Sequence, residues 1–388
     1  MYRSFRRALA ASSAACALVY GLGATPTLAQ PPIKIGFHAG LTGPAAADGK
    51  AAEAAAQLAV DQINRAGGVL ARKLELIVYD DQFKPEVVVP LANRMIGDDK
   101  VRAVISAGFS APTRAAAPVF QKAEVPYIAA ISFAPEVTRA GDYVFRVTSV
   151  GEVQGRAGAK LVGDVLKKKR VVVITIKTDF GKTLVAGFKD AAPKFGIQIL
   201  KEYEYSPGDR QFGPLVASIK ADAPDAIYAT GFYFTGGPLV SQLRAAGVAA
   251  DIVGPESYSS QKFIEIAGAA AEGTLITNVI DWGSQSPEVT QFLADFEKKA
   301  GFKAEAVSAQ THAAISVLAA AIRRAASDEP KQIRAALEKT DLMTAIGRLS
   351  FNDLHEVRKV FPVSIVRNGA WTKFTTIDDM VLLAPPTK

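Results

Sequence analysis

The chain has 388 residues, 21% of them charged, a formal net charge of +7 and one cysteine. The first 29 residues hold three arginines and no acid, so the remainder carries only +4, spread along the chain, which argues against a nucleic-acid partner. Three separated histidines, none in a ligand pair, and a lone cysteine exclude a zinc-type site and a disulfide framework, and no cofactor is expected.

Residues 1–29 read as a secretory signal. Arg3, Arg6 and Arg7 form a basic start, Ala8 to Gly23 is apolar, and Thr27-Leu28-Ala29 suits cleavage after Ala29. A lipoprotein reading would anchor Cys16, but Ser13 stands where a large aliphatic residue is wanted. The expected product is an exported protein with a large core and two lobes.

Taken in order, Ile33–His38 alternates as a strand and runs into the loop Gly40-Leu41-Thr42-Gly43-Pro44. A helix over Lys50–Arg65, a strand over Lys73–Tyr79 and a helix over Pro85–Ile96 follow. Val101–Ser106 is a buried strand, Thr113–Glu124 a helix and Pro126–Ala130 a strand, and Tyr143–Val147 is a fifth strand leading out of the lobe. After Gly151 the rhythm restarts. Helices are expected over Glu152–Lys168, Lys182–Phe195, Phe212–Ala221, Gly237–Ala246 and Gln261–Ala267. Strands are expected over Val171–Ile176, Ile197–Tyr205, Asp225–Thr230, Asp251–Val253 and Thr274–Ile280. Helices over Glu288–Lys299, Val307–Ala326 and Lys331–Glu338 precede strand-like pieces near Arg348–Phe351, Val360–Val366 and Trp371–Thr376. Alternating strands and helices predict an α/β fold, two Rossmann-like lobes with parallel central sheets joined by a hinge. The expected division is a lobe over 30–150, a second over 151–280, and a segment 281–388 shared between them.

In such sheets ligands sit at the carboxyl ends of the strands. There Ser110 opens a helix, where a hydroxyl and free N–H groups suit an anion. Ile131-Ser132-Phe133 follows the next strand. From the second lobe come Asp179-Phe180, Phe232-Tyr233-Phe234 and Pro255-Glu256-Ser257; Glu256 could neutralise a ligand cation, with a solvated surface acid as the plain alternative, and lobe core as that for Phe232 and Phe234. Gly181-Lys182-Thr183 is a strand-to-helix turn and not a phosphate loop, because Ile176 stands where the motif needs glycine. Asp80-Asp81 reads as a capping pair. Gly108-Phe109-Ser110-Ala111-Pro112 has the shape of a nucleophile elbow but ends in proline, and a serine hydrolase would need His312 or His355 beside Ser110. The chain is therefore read as a non-enzyme.

The segments IKIGFHAGLTGPAAADG, AVDQINRAGGVLARKLELIVYDDQFKP, APEVTRAGDYVFRV, DFGKTLVAGFKDA and VGPESYSSQKFIEIAGAAAEGTLIT resemble the periplasmic leucine/isoleucine/valine-binding proteins of ABC importers, from Ile33 to about Phe351. The resemblance implies the type I periplasmic-binding fold, a periplasmic location, a small carboxylate ligand and an inner-membrane permease as partners, and a monomer that catalyses nothing. By position it makes Ser110, with Ala111, the carboxylate site and Glu256 the acid facing an ammonium. It gives backbone contacts to Ile131, Ser132 and Phe133, and aromatic walls to Phe180 and the Phe232-Tyr233 pair. Three departures stand out: Phe133 in place of a threonine, Asp48 in place of a large aromatic, and Phe180 in place of a tyrosine. They make leucine doubtful and leave two ligand classes, an apolar or aromatic amino acid and an amine-free aromatic carboxylate.

Overall fold

A computed structural model describes residues 30–387. The signal segment, its cleavage after Ala29 and Cys16 lie outside them. The first sheet is wholly parallel, in the order β2 (Leu74–Asp80), β1 (Ile33–Ala39), β3 (Ala103–Ala107), β4 (Tyr127–Ala129), β5 (Val144–Arg146). Its helices are α1 (Ala46–Arg65), α2 (Pro85–Arg94) and α3 (Ser110–Lys122). Helix α1 starts four residues earlier than its periodicity suggested, because Ala46, Ala47 and Asp48 continue the turn. Alanines at 51, 52, 55, 56 and 59 form its buried stripe. Small side chains there let α1 lie close against another alanine-rich helix, α10 (described below), in one shared core.

The second sheet starts at the edge strand β7 (Gln198–Tyr205) and continues through β6 (Arg170–Ile176), β8 (Ala226–Ala229), β9 (Asp251–Gly254) and β10 (Leu275–Thr277), all parallel. Between them come α4 (Gly151–Lys160), α5 (Asp179–Ala191), α6 (Gly213–Asp222), α7 (Tyr233–Ala245) and α8 (Gln261–Ala267). Then α9 (Pro287–Ala300), α10 (Ala306–Ala325) and α11 (Pro330–Leu337) return to the first core. The hairpin β11 (Asp341–Thr344) and β12 (Gly347–Ser350) was expected only as a single strand near 348–351. Strands β13 (Phe361–Arg367) and β14 (Ala370–Ile377) close the second sheet beside β10, and both of their pairings are antiparallel. The central strands of that sheet are parallel, as expected, and the antiparallel pair adds a mixed edge that was not. The reason is local: Asn368 and Gly369 both take positive φ (52° and 70°) between paired Arg367 and Ala370, the two-residue turn that sends a strand straight back.

The chain passes between cores at three places. Val147 belongs to the first core and Val150 to the second sheet's; Val279 and Ile280 divide likewise, and so do Val357 and Phe361. A buried ion pair locks one of these crossings. Arg146 Nε lies 3.1 Å from Glu356 Oε2, and both side chains are buried. The Arg146 guanidinium also donates to the carbonyls of Ser132 (2.8 Å) and Ala134 (2.5 Å), and Thr138 donates to the other Glu356 oxygen. One side chain thus ties the loop after β4 to the last crossing. Removing it leaves a carboxylate buried alone, which costs about 3–5 kcal/mol. Urea denaturation of Arg146→Met should show that loss, and the double variant Arg146→Met/Glu356→Leu should recover much of it. A loss below about 1 kcal/mol would mean water reaches Glu356 and the pair is not a lock.

Candidate functional site

The carboxyl ends of β3, β4, β6, β8 and β9 converge on one closed cavity of only about 10 Å³. It is lined by Asp48, Phe109, Ser110, Ile131 and Val307 from the first core's side and by Phe180, Phe232, Glu256 and Ser257 from the other. That is room for about one water. Ser110 is the first residue of α3, so its turn offers N–H groups without a helical carbonyl. The Ser110 hydroxyl accepts a 3.2 Å bond from the Phe133 N–H, which leaves its own proton to donate outward. Gly108, just before, fits only as glycine: a Cβ there would lie 2.8 Å from Asp81 Oδ2 and 2.9 Å from His38 Cε1.

Two acids reach the cavity, Glu256 opposite this donor edge and Asp48 on the same side as it. Glu256 is 6% exposed and its Oε2 has no partner. Burial pushes its carboxyl up to about 7. Asp48, in the first turn of α1, is 4% exposed. Burial, then the charges of Glu305 and Glu256, hold its carboxyl well above the usual range. Gly49 lets the Gly40 carbonyl rest against the helix there, where a Cβ would come within 2.1 Å.

Phenyl rings fill the seam between the lobes. Phe180 stacks on Phe232 (centroids 5.2 Å), Phe109 meets Phe232 edge-on (4.9 Å), and Phe133 meets Phe180 edge-on (5.7 Å). Phe83 adds edge contacts to Phe109 and Phe232. Two polar contacts cross the rim: the Tyr233 hydroxyl donates to the Pro44 carbonyl (2.8 Å), and Arg114 pairs with Asp179 (2.9 Å).

Of the residues singled out from sequence, Ser110, Ile131, Phe180, Glu256 and Asp48 line the cavity. Ala111, Ser132, Phe133 and Tyr233 stand behind it. Phe133 supplies its N–H and a supporting ring, Ser132 gives its carbonyl to Arg146, and Tyr233 spans the rim. Glu256 is buried, not a solvated acid, and Phe232 serves both core and wall. Ser257, in the expected Pro255-Glu256-Ser257 loop, lines it too, whereas Phe109 and Val307 were not anticipated as lining. Phe109 adjoins Ser110, but Val307 opens a helix far downstream, with no local signal.

The histidines are engaged elsewhere. His38 bonds Asp81 and Tyr127 (both 2.7 Å), His312 contacts Gln62 (2.8 Å), and His355 contacts the Val144 carbonyl (3.0 Å). None reaches Ser110, so the triad a hydrolase needs is not assembled among the described residues. Asp80 gathers the N–H groups of Leu41, Thr42 and Gln82 and shapes the loop before α1, while Asp81 bonds His38 and the Phe83 N–H. Thr178 caps α5 by accepting from Gly181 N (3.1 Å), which is the plain strand-to-helix turn expected there.

A Leu/Ile/Val-binding protein of Rhizobium johnstonii is 34% identical over 339 residues, covering 87% of this chain and 91% of that one. A leucine-binding protein from Thermotoga maritima superposes with a TM-score of 0.85 at 29% identity, covering 89% and 99% of the two chains. A branched-chain amino acid substrate-binding protein from Streptococcus pneumoniae, solved with isoleucine, gives 0.84 at 27%, again covering 89% and 99%. The model of the periplasmic binding protein family matches residues 32–370. With most of its length matched and a strand-end cleft between two lobes, the chain belongs to the periplasmic binding protein family.

Proposed function

We propose that the chain is the exported, monomeric solute-binding component of an ABC importer, that it works in the periplasm after cleavage behind Ala29, and that it hands an apolar or aromatic amino acid to a membrane permease. One observation carries this reading: a serine at a helix N-terminus and a buried acid with an unpartnered oxygen face each other across one cavity. The ligand carboxylate docks at Ser110 and the neighbouring N–H groups, its ammonium meets Glu256, and its side chain parts the phenyl seam. Hinge motion about the three crossings lets it in and out. Relatives named for leucine, isoleucine and valine support an amino acid. Asp48 and the added phenyl surface favour a side chain larger than leucine that offers Asp48 a hydrogen bond.

A second reading, an amine-free aromatic carboxylate, draws on the same rings and on the ease with which Glu256 takes up a proton. Glu256→Gln separates the two readings. By calorimetry it should cripple amino-acid binding and spare an amine-free acid. Ser110→Ala should weaken either class by about 1.5–3 kcal/mol, the worth of a hydrogen bond to a charged group. Unchanged affinity would remove Ser110 from the site.

The buried acid also sets a pH dependence in the ligand-free protein. Folded Glu256 titrates near 7 against an ordinary 4.5, so the folded state binds the extra proton and its stability falls as pH rises through that window. His312, held down to about 4 from 6.5 by burial, acts in the opposite direction over much of the same range. The clean readout is therefore the difference between proteins. The melting temperature of Glu256→Gln relative to wild type should climb from pH 4.5 to 7 and then level off. A pH-independent difference would show that Glu256 is solvated.

A further inference from the structure

A second cavity, of about 560 Å³, has Glu305 in its lining and falls in the size range of small-molecule sites. Its walls come from both cores, Trp282 and Leu293 from one and Trp371 from the other, with the exposed Phe302 at its edge and Ser259 and Glu305 also in its lining. None of these six lines the cleft cavity.

The polar groups there are unevenly served. Glu305 is 7% exposed. Its side chain caps the start of α10, and one oxygen accepts from Ser260 Oγ (2.9 Å) and Gln261 N (3.0 Å), while Oε2 makes no hydrogen bond of good geometry. Trp282 Nε1 donates to the Ala304 carbonyl (3.2 Å), so its indole is fixed, whereas the buried Trp371 Nε1 has no acceptor. Glu297 and Lys303 also line the cavity, but both are exposed and of opposite charge. The buried part therefore presents one carboxylate among two indoles and an aliphatic wall. A carboxylate oxygen left bare in such a place is costly unless a cation meets it. Indole faces attract cations as well.

We propose that this cavity is a second ligand site, separate from the cleft, that takes an organic ammonium ion with an apolar or aromatic body. The ammonium docks on Glu305 and the body lies along Trp282, Leu293 and Trp371. A carboxylate ligand of the cleft type is rejected there, since the only buried charge is negative.

Trp282 and Trp371 are the two tryptophans of the chain, so intrinsic tryptophan fluorescence reads this cavity directly. The purified protein is titrated at pH 8 with 2-phenylethylammonium, and separately with 2-phenylethanol and phenylacetate. The ammonium should give a saturable emission change, the alcohol should need at least about ten-fold more, and phenylacetate should give no such change. Glu305→Gln should raise the half-saturation for the ammonium about ten-fold or more, while Glu256→Gln leaves it unchanged. If Glu305→Gln does not fold, Ala370→Phe, which fills the cavity and keeps the carboxylate, has to weaken binding by a similar factor. The proposal is overturned by a non-saturable response, by equal responses to ammonium and alcohol, or by a response that disappears in Glu256→Gln, which would place the probe in the cleft. Because the cleft variant is read separately, loss of this site leaves the importer reading untouched, and the converse also holds.

Discussion

Buried carboxylates, two of them with one oxygen left unpartnered, are the constraint on which the rest of the site depends. Glu256 and Asp48 lie on opposite walls of a space with room for about one water, and Glu305 sits just behind. Three acids so placed cannot all stay charged in a dry interior. Burial favours their protonated forms, and on the proposed reading an arriving ammonium restores the charge of the acid it meets. The helix N-terminus at Ser110 is the complement of Glu256 across the cavity, since it welcomes the carboxylate that an acid repels. On that reading the two groups together orient a zwitterion in a way that neither could alone.

The rings determine how such a cavity opens. Phe109 and Phe133 belong to the first lobe, yet they pack within the same apolar cluster as Phe180 and Phe232 of the second. A ligand has to part these contacts and replace them with its own side chain, so only a body that restores the lost apolar contact is held well. Behind the rings the frame is stiff. Arg146 holds the Ser132 and Ala134 carbonyls while it faces Glu356, so the loop that offers the Phe133 N–H to Ser110 is fixed to a crossing strand and does not float.

Much of this was legible in the sequence, for identifiable reasons. Strand β6, with valine and isoleucine on both faces, and the alanine stripe of α1 carry their periods openly, and loops at strand ends follow from the parallel topology. Ser110 and Glu256 were readable because each sits directly after a strand. The antiparallel edge was signalled by Asn368-Gly369, a turn pair whose meaning depends on knowing which strands flank it. Val307, the wall of Glu305 and the ion pair of Arg146 with Glu356 were not readable. Each joins positions far apart in the chain, and only the completed packing brings them together. Phe133 was read as a backbone contact; its N–H bonds Ser110, while its ring packs on Phe180, a role no local pattern marks.

Closure itself rests on modest contacts. Arg114–Asp179 is well exposed at the rim, and such pairs contribute about 0–1 kcal/mol. The Tyr233–Pro44 bond adds about 1 kcal/mol. The phenyl seam contributes more, but against it stands the burial of Glu256 and Asp48. Closure thus sets apolar and rim contacts against the burial of acids, and a ligand shifts the balance of open and closed forms only by binding the two forms differently. Here the difference has a plain source: Ser110 and Glu256 belong to different lobes, and one zwitterion can touch both only when the lobes have met. On the proposed reading recognition and closure are then the same event, so a molecule lacking either the anion or a group to satisfy the acids would bind one lobe and leave the cleft open.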